Sequence, residues 1–492
     1  MKRPRCAYWQ TVDGLFCIML FKHENEMRKL NLKGKDLRKI GYPESIVIGV
    51  AIQVMHQYHK HTTKEEALRI LKNVAANPDA FVQDEVLGKI AQAFMQHLHP
   101  QSDTLTCRAN RLAYATYGAE HIEQGAVHQM EVAMKLPVSV AGALMPDAHQ
   151  GYGLPIGGVL ATDNAIIPYG VGVDIGCRMC MTIFDVPAQY ALQQVDALTG
   201  YLTRNTTFGS GATIKNPGEH PVLDDPAFTS TPLLRSLHDK AVKQLGTSGS
   251  GNHFVEFGIV DITAEHNALH VTPGSYLALL SHSGSRGLGA SVASYYTRLA
   301  KELCKLPDSA KHLAYLSLDS EEGMAYWIAM QLSGDYASAC HHKIHEKVHR
   351  SLGGTILARV ENHHNFAWKE MHQGREVIVH RKGATPAGKG VLGIIPGSMT
   401  APGFIVEGRG EDNALHSAAH GAGRLMSRTA AKSQFTKAMM RSVLNDAGVT
   451  LIGGDIDESP MAYKDIQTVM RNQEDLVNII GIFKPKVVRM DG

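Results

Sequence analysis

Beyond residue 104 the chain is built of short apolar runs that stop abruptly at glycine, histidine or an acid, and this pattern limits what it can fold into. The runs are "VSVAGALMPDAHQGYGLPIGGVLAT" (138–162), "CMTIFDVP" (180–187), "HFVEFGIVDI" (253–262), "SYLALLSHSGSRG" (275–287) and "EVIVHRKGAT" (376–385). Each has the length and residue types of one or two strands, bounded by glycine-rich turns. Helical spacing separates them, for example over 287–305 and 421–445. The class is α/β or α+β in one large domain, and periodicity alone leaves both open. No repeat of fixed period and no low-complexity tract interrupts it.

The first hundred residues read differently. "PESIVIGVAIQVMHQYHKH" and "TKEEALRILKNVAANPDAFVQDEVLGKIAQAFMQHL" carry apolar residues at helical spacing, and Thr63 with Glu66 has the form of a capping box. Polar "HPQSDT" (99–104) suits a linker. The expected organisation is a helical N-terminal extension over 1–102 and a large domain over 103–492.

Composition excludes several classes. No run of about 18 apolar residues could span a bilayer, so no membrane partner is expected. The N-terminus is basic but lacks an apolar core before a small-residue cleavage site, which argues against secretion. Seven cysteines, an odd and scattered set, suit reduced thiols in a cytoplasmic protein. A net charge of +2 means that any nucleic-acid binding must come from local patches. The 26 histidines point toward metal or acid–base chemistry.

Six stretches place such residues at the ends of apolar runs: "PDAHQGYG" (146–153), "VDIGC" (173–177), "GSGNHFVE" (249–256), "LLSHSGSRG" (279–287), "ENHHNF" (361–366) and "HSAAHGAGRLMSR" (416–428). Any one histidine among them could be an ordinary core or surface imidazole. Together, Asp174, Cys177, His253, His282 and His364 offer oxygen, sulfur and nitrogen donors, enough for two borderline divalent ions sharing a thiolate. A redox Cys177/Cys180 pair is the competing reading. It would be expected where a helix begins, whereas "CRMCMTIFDVP" reads as a strand start, so metal ligation is favoured. The last stretch sets His420 ahead of what looks like a glycine-rich helix start.

The motifs "MPDAHQGYGLPIGG", "GVGVDIGC", "GNHFVE", "SHSGSRG", "NHHN", "RKGAT", "PGSM", "HGAGRLMSR" and "PMAYKDI", in this order from about residue 106 to the C-terminus, resemble the RtcB family of RNA-splicing and RNA-repair ligases. The resemblance implies an α+β, RtcB-type fold for the large domain and two Mn²⁺ per active site. Asp174, Cys177 and His253 would hold one ion, and Cys177, His282 and His364 the other, with Cys180 a bystander. It implies a GTP-dependent ligase that joins RNA 3′-phosphate or 2′,3′-cyclic phosphate ends to 5′-hydroxyl ends in tRNA splicing or RNA repair. His420 matches the nucleophile that carries the guanylate.

Phe254, Glu256, Ser398, Ala422 and Gly423 match nucleotide-binding positions, and Asn252 and Asn365 match positions that contact the nucleotide phosphate or the metal site. Asp147, Arg286, Lys382, Arg424 and Arg428 are candidates for RNA or phosphate contact. The series Arg424, Arg428, Lys432, Lys437, Arg441 has the spacing of one basic helix face. Two departures fall in the nucleotide pocket. Asp491 stands where the family carries a penultimate lysine, and Gly403 where it tends to have a second serine. Two other functions stay open: a dinuclear-metal phosphoesterase or nucleotidyltransferase that does not seal RNA, and a metal-binding RNA chaperone. An archease-type activator is a partner that the resemblance makes possible. The extension, with its basic stretch at 28–39, is expected to tune substrate choice and not chemistry.

Overall fold

The computed structural model describes residues 30–98, 105–216 and 218–492; the expected linker at 99–104 and the first two residues of the basic stretch lie outside them. The described part of the extension is helical, as its periodicity predicts. Helices Ile46–Tyr58, Lys64–Ala76 and Gly88–Leu98 close around a core of their own that includes Val47, Val54, Met55, Leu71 and Ile90. Thr63 caps the second of these, its hydroxyl accepting from the Glu66 backbone N–H at 3.3 Å. The first helix rests on the start of a 32-residue helix, Glu321–Leu352, with Gly49 against Ser320 and Glu321.

All five strand-like runs form strands: Ser139–His149 with Ile156–Thr162, Arg178–Pro187, Phe254–Ile262, Gly274–Ser283, and Arg375–Lys382 with Ala384–Pro386. They belong mainly to two sheets. A five-stranded sheet runs from Ala115–Thr116 through Ser139–His149, Ile156–Thr162 and Arg375–Lys382 to Asn365–His372. The larger, eight-stranded sheet runs in the order Leu392–Ile395, Gly403–Gly408, Val477–Met490, Phe254–Ile262, Gly274–Ser283, Arg178–Pro187, Ile356–His363, with Thr450–Ile452 branching from Val477–Met490. Every neighbour along this path is antiparallel. The fold is α+β.

The larger sheet curls until its two edges meet. Asn362, near the end of one edge strand, closes the gap with its side chain. Its amide accepts from the Ile394 N–H at 2.9 Å and donates to the Ile394 carbonyl at 3.2 Å on the other edge strand. A side-chain amide thus supplies the donor and acceptor that another strand would give, which leaves neither buried edge group unpaired. Because side chains alternate across a strand, the sheet has two apolar faces. Met179, Met181, Ala278 and Leu280 fill the inside, while Phe184, Leu277 and Leu279 pack outward against Ile344 and Val348 of the long helix.

One expectation fails. The helical pattern over 421–445 is not one helix: residues 421–427 are irregular, and two short helices follow, Arg428–Gln434 and Lys437–Asp446. Ser427 and Thr436 each cap a new helix with the side-chain hydroxyl, and Phe435 between them is extended. The basic series therefore does not share one helix face. His420 directly follows the strand Ser417–Ala419, not a helix start.

Candidate active site

The ends of the inner strands converge on one cluster. Asp174 and Cys177 sit on the turn that leads into Arg178–Pro187, closed by Cys177 N–H donating to the Asp174 carbonyl at 3.2 Å. Gly176 occupies the left-handed region at φ +70°, and a side chain there would press on Gly334 of the long helix. His253 immediately precedes one strand, His282 ends the next, and His364 joins the hairpin of strands Ile356–His363 and Asn365–His372.

The five donor residues meet. Cys177 Sγ lies 3.2 Å from His282 Nε2 and 3.5 Å from His253 Nε2. His253 Nε2 is 2.9 Å from Asp174 Oδ2, and His282 Nε2 is 3.2 Å from His364 Nε2. His282 Nδ1 donates to the Asn252 carbonyl at 3.0 Å, which leaves its Nε2 electron pair facing the cluster, whereas His253 Nδ1 accepts from Arg286 at 3.1 Å. Arg286 does so from a left-handed backbone, φ +53°, a conformation that costs energy outside glycine and collects at functional sites.

Burial sets the protonation of these groups. It keeps the His282 and His364 imidazoles neutral, aided by neighbouring imidazoles, and lowers His253 with help from Arg286. It pushes the Cys177 thiol well up, and the Asp174 carboxylate pushes it further. Asp174 itself feels the same burial, but the His253 hydrogen bond and the Arg286 charge outweigh it and hold the carboxyl low. Neutral imidazoles, one carboxylate and a thiol with ring nitrogens crowded around it form a donor set that lacks only positive charge. The residues fit divalent ions, and such charge would lower the thiol.

His420 stands beside this cluster, its ring centroid 4.9 Å from that of His364. Its Nδ1 lies 2.6 Å from Asp147 Oδ2, and the same oxygen accepts from its backbone N–H at 3.1 Å. Asp147 is fully buried. Gly423, at φ +72°, lets the loop after His420 lie on the Asp147 carbonyl, which a Cβ there would approach to 2.2 Å. The Nε2 atom of His420 is left without a partner among the described residues.

A cavity opens in front of His420. Asn252, Phe254, Glu256, Ser398, Ala422 and Gly423, expected at the nucleotide, all line it, and so does Gly403. Burial raises the Glu256 carboxyl well above the usual range, with no hydrogen-bond partner among the described residues. Asn365 is not part of the lining. It accepts from the Gly383 N–H at 2.9 Å and donates to the Asp174 carbonyl at 3.3 Å, tying the Asp174–Cys177 turn in place. Asp491 also lies outside the lining, its carboxylate beside Gly209.

The candidates for RNA contact are more dispersed. Asp147 lies behind His420, not at the cavity surface. Lys382 is buried, bonded to the Tyr152 carbonyl and placed over the Tyr169 ring, and burial brings its ammonium down to about 7. Arg424 and Arg428 line the cavity but are paired with the buried acids Asp457 and Glu458. Sequence reasoning missed Glu458, Tyr463 and His149, which also line the cavity. His149 lay within a quoted motif, two residues from Asp147, and that adjacency was the available signal.

Among the described residues no helix is long and apolar enough to cross a membrane. The family described as tRNA-splicing ligase RtcB matches this chain over residues 129–227 and 226–491. The RNA-splicing ligase RtcB of Escherichia coli strain K12 is 36% identical over 374 residues, 69% of this chain and 87% of that protein. The tRNA-splicing ligase RtcB of Nanoarchaeum equitans is 31% identical over 414 residues, 70% of this chain and 87% of that protein. On these matches, and with the family's motifs gathered at one site, the chain belongs to the RtcB family.

Proposed function

We propose that this protein is a GTP- and Mn²⁺-dependent RNA ligase that joins 3′-phosphate or 2′,3′-cyclic phosphate ends to 5′-hydroxyl ends, in tRNA splicing or RNA repair. The observation that carries the reading is the position of His420, between a divalent-metal donor set and a cavity floored by a buried carboxylate. The curated relatives are named as RNA-splicing and tRNA-splicing ligases, which supports RNA as the substrate.

His420 Nε2 attacks the α-phosphorus of GTP. A P–N bond forms, the P–O bond to the β-phosphate breaks, and pyrophosphate leaves. Asp147 fixes the tautomer by taking the Nδ1–H, leaves the Nε2 electron pair free, and stabilises the imidazolium of the adduct. An oxygen of the RNA 3′-phosphate then takes the guanylate, releasing His420, and the 5′-hydroxyl displaces GMP to form the phosphodiester. A 2′,3′-cyclic phosphate is first opened by water. Asp174, Cys177 and His253 would hold one Mn²⁺, and Cys177, His282 and His364 the other. These ions supply positive charge and in-line orientation for phosphoryl oxygens. Glu256 accepts from the guanine N1–H and N2–H.

RNA bearing 3′-phosphate and 5′-hydroxyl ends, incubated with the full chain, GTP and Mn²⁺, is expected to be joined, with ATP unable to replace GTP. Guanylation of the protein without joining favours the nucleotidyltransferase reading, and neither reaction favours a metal-binding RNA chaperone. Adding an archease-type protein to the same mixture shows whether an activator speeds turnover.

A further inference from the structure

On the reverse face of the strand that carries His282 lies a second group of metal-ligand side chains. Met179 pairs with His282 and Cys180 with Ser281 across adjacent strands, so Cys180 and Ser281 turn away from the active site toward the long helix. There His341 and His345, one helical turn apart, meet them. One ring nitrogen of each and the Cys180 sulfur all lie within 4.8 Å of one another, and all three residues are fully buried. Nothing in the proposed ligase reaction uses them.

The two imidazoles are held from behind. His341 Nε2 donates to the Ser283 carbonyl at 3.1 Å, which fixes its tautomer and turns the Nδ1 electron pair inward. His345 Nδ1 faces Thr182 Oγ1 at 2.7 Å, and Arg359 donates to that same oxygen at 3.2 Å. The inward nitrogens, His341 Nδ1 and His345 Nε2, converge on Ser281 Oγ at 2.6 and 2.8 Å. An outer ring N–H anchored on an oxygen is the usual support of a metal-ligating histidine, and here the inner nitrogens of both rings face the Ser281 hydroxyl. Burial keeps both imidazoles neutral, the form that binds metal, and brings His341 down to about 3.

We propose that Cys180, His341 and His345 hold a structural transition-metal ion of the zinc class, with Ser281 Oγ at the fourth position. One thiolate with imidazole nitrogens suits such an ion. On binding, the Cys180 S–H bond breaks, the sulfur forms its bond to the metal, and the proton leaves to solvent. Because the site is sealed, the ion enters as the chain folds and resists chelation afterwards. It fastens the long helix to the strand that carries His282.

The full-length Cys177→Ala protein, produced with zinc and dialysed against EDTA, isolates the site, since the catalytic donor set then has no thiolate. About one zinc per chain is expected to remain, with one sulfur and two imidazole nitrogens around it by X-ray absorption. Chains produced with cobalt are expected to show a thiolate-to-cobalt charge-transfer band that is lost on adding Cys180→Ser or His345→Gln. Zinc absent from the dialysed protein, a metal environment without sulfur, or a band that survives Cys180→Ser overturns the proposal. The group is then a chain of hydrogen bonds closed by the other tautomer of His345. The absorption measurement needs no Cys180 variant, so it decides the matter even if those variants do not fold.

Discussion

A single oxygen of Asp147 holds His420 at two points, the backbone N–H at 3.1 Å and ring Nδ1 at 2.6 Å. It therefore fixes both where the ring stands and which nitrogen is free. Asp147→Asn keeps an oxygen for these contacts but removes the charge that stabilises an imidazolium. Self-guanylation is expected to slow by roughly 10²–10⁴-fold, with Mn²⁺ binding retained. Single-turnover labelling beside a metal titration checks this; equal loss of metal binding would make Asp147 merely structural.

Cys177, on the turn before the strand Arg178–Pro187, faces the candidate active site, while Cys180, within that strand, faces the long helix. Cys177→Ala is expected to lower Mn²⁺-dependent guanylation by about 100-fold or more, because it removes the ligand proposed to be shared by both ions. Cys180→Ser is expected to leave the folded protein's rate within about threefold while lowering its melting temperature, as befits a buried side chain remote from the reaction. Equal losses of rate from both substitutions would revive the redox pairing.

Glu256 carries a pH signature. Burial raises its carboxyl above the unfolded value near 4.5, so the folded state keeps a proton that the unfolded chain releases. Stability from this residue is complete below that value and declines as pH rises toward the folded one. Glu256→Gln is expected to flatten the decline. The proposed contacts to guanine N1–H and N2–H need the ionised carboxylate, so GTP binding is expected to release a proton, read by calorimetry in buffers of different ionisation enthalpy. Hydrogen bonds to a charged group contribute about 1.5–3 kcal/mol each, so Glu256→Gln should reduce the preference for GTP over ATP by tenfold or more.

His380 has the opposite sign. Its Nε2 accepts from the Ile167 N–H at 2.9 Å while Nδ1 donates to the Leu160 carbonyl at 3.2 Å, so only the neutral ring fits. Burial lowers it to about 4 from 6.5. The stability it gives is present above 6.5 and is lost as pH falls through about 4. Melting temperature is expected to fall across that window, less steeply in His380→Gln. An unchanged slope would show that other buried histidines carry the effect.

The sequence made the strands legible because short apolar runs ended by glycine allow little else. It also made the donor residues legible, since His253, His282 and His364 stand at or beside strand ends. It could not show that Asp147 and His420, 273 residues apart, share a hydrogen bond, because only tertiary packing brings the short strand Ser417–Ala419, paired with Ala384–Pro386, against Ser139–His149. The single helix expected over 421–445 fails for a local reason: Ser427 and Thr436 compete as caps, which a periodicity count does not weigh. Asn362 looked like part of a histidine motif, and its role in closing the sheet exists only once the edges have met.

The most direct test is to label the protein with α-labelled GTP and Mn²⁺ and compare wild type with His420→Ala. The expected adduct is a phosphoramidate, labile to acid and stable to base, absent from the variant and passed to RNA 3′-phosphate ends on chase. Label that resists acid, or that persists in His420→Ala, would contradict His420 as the nucleophile.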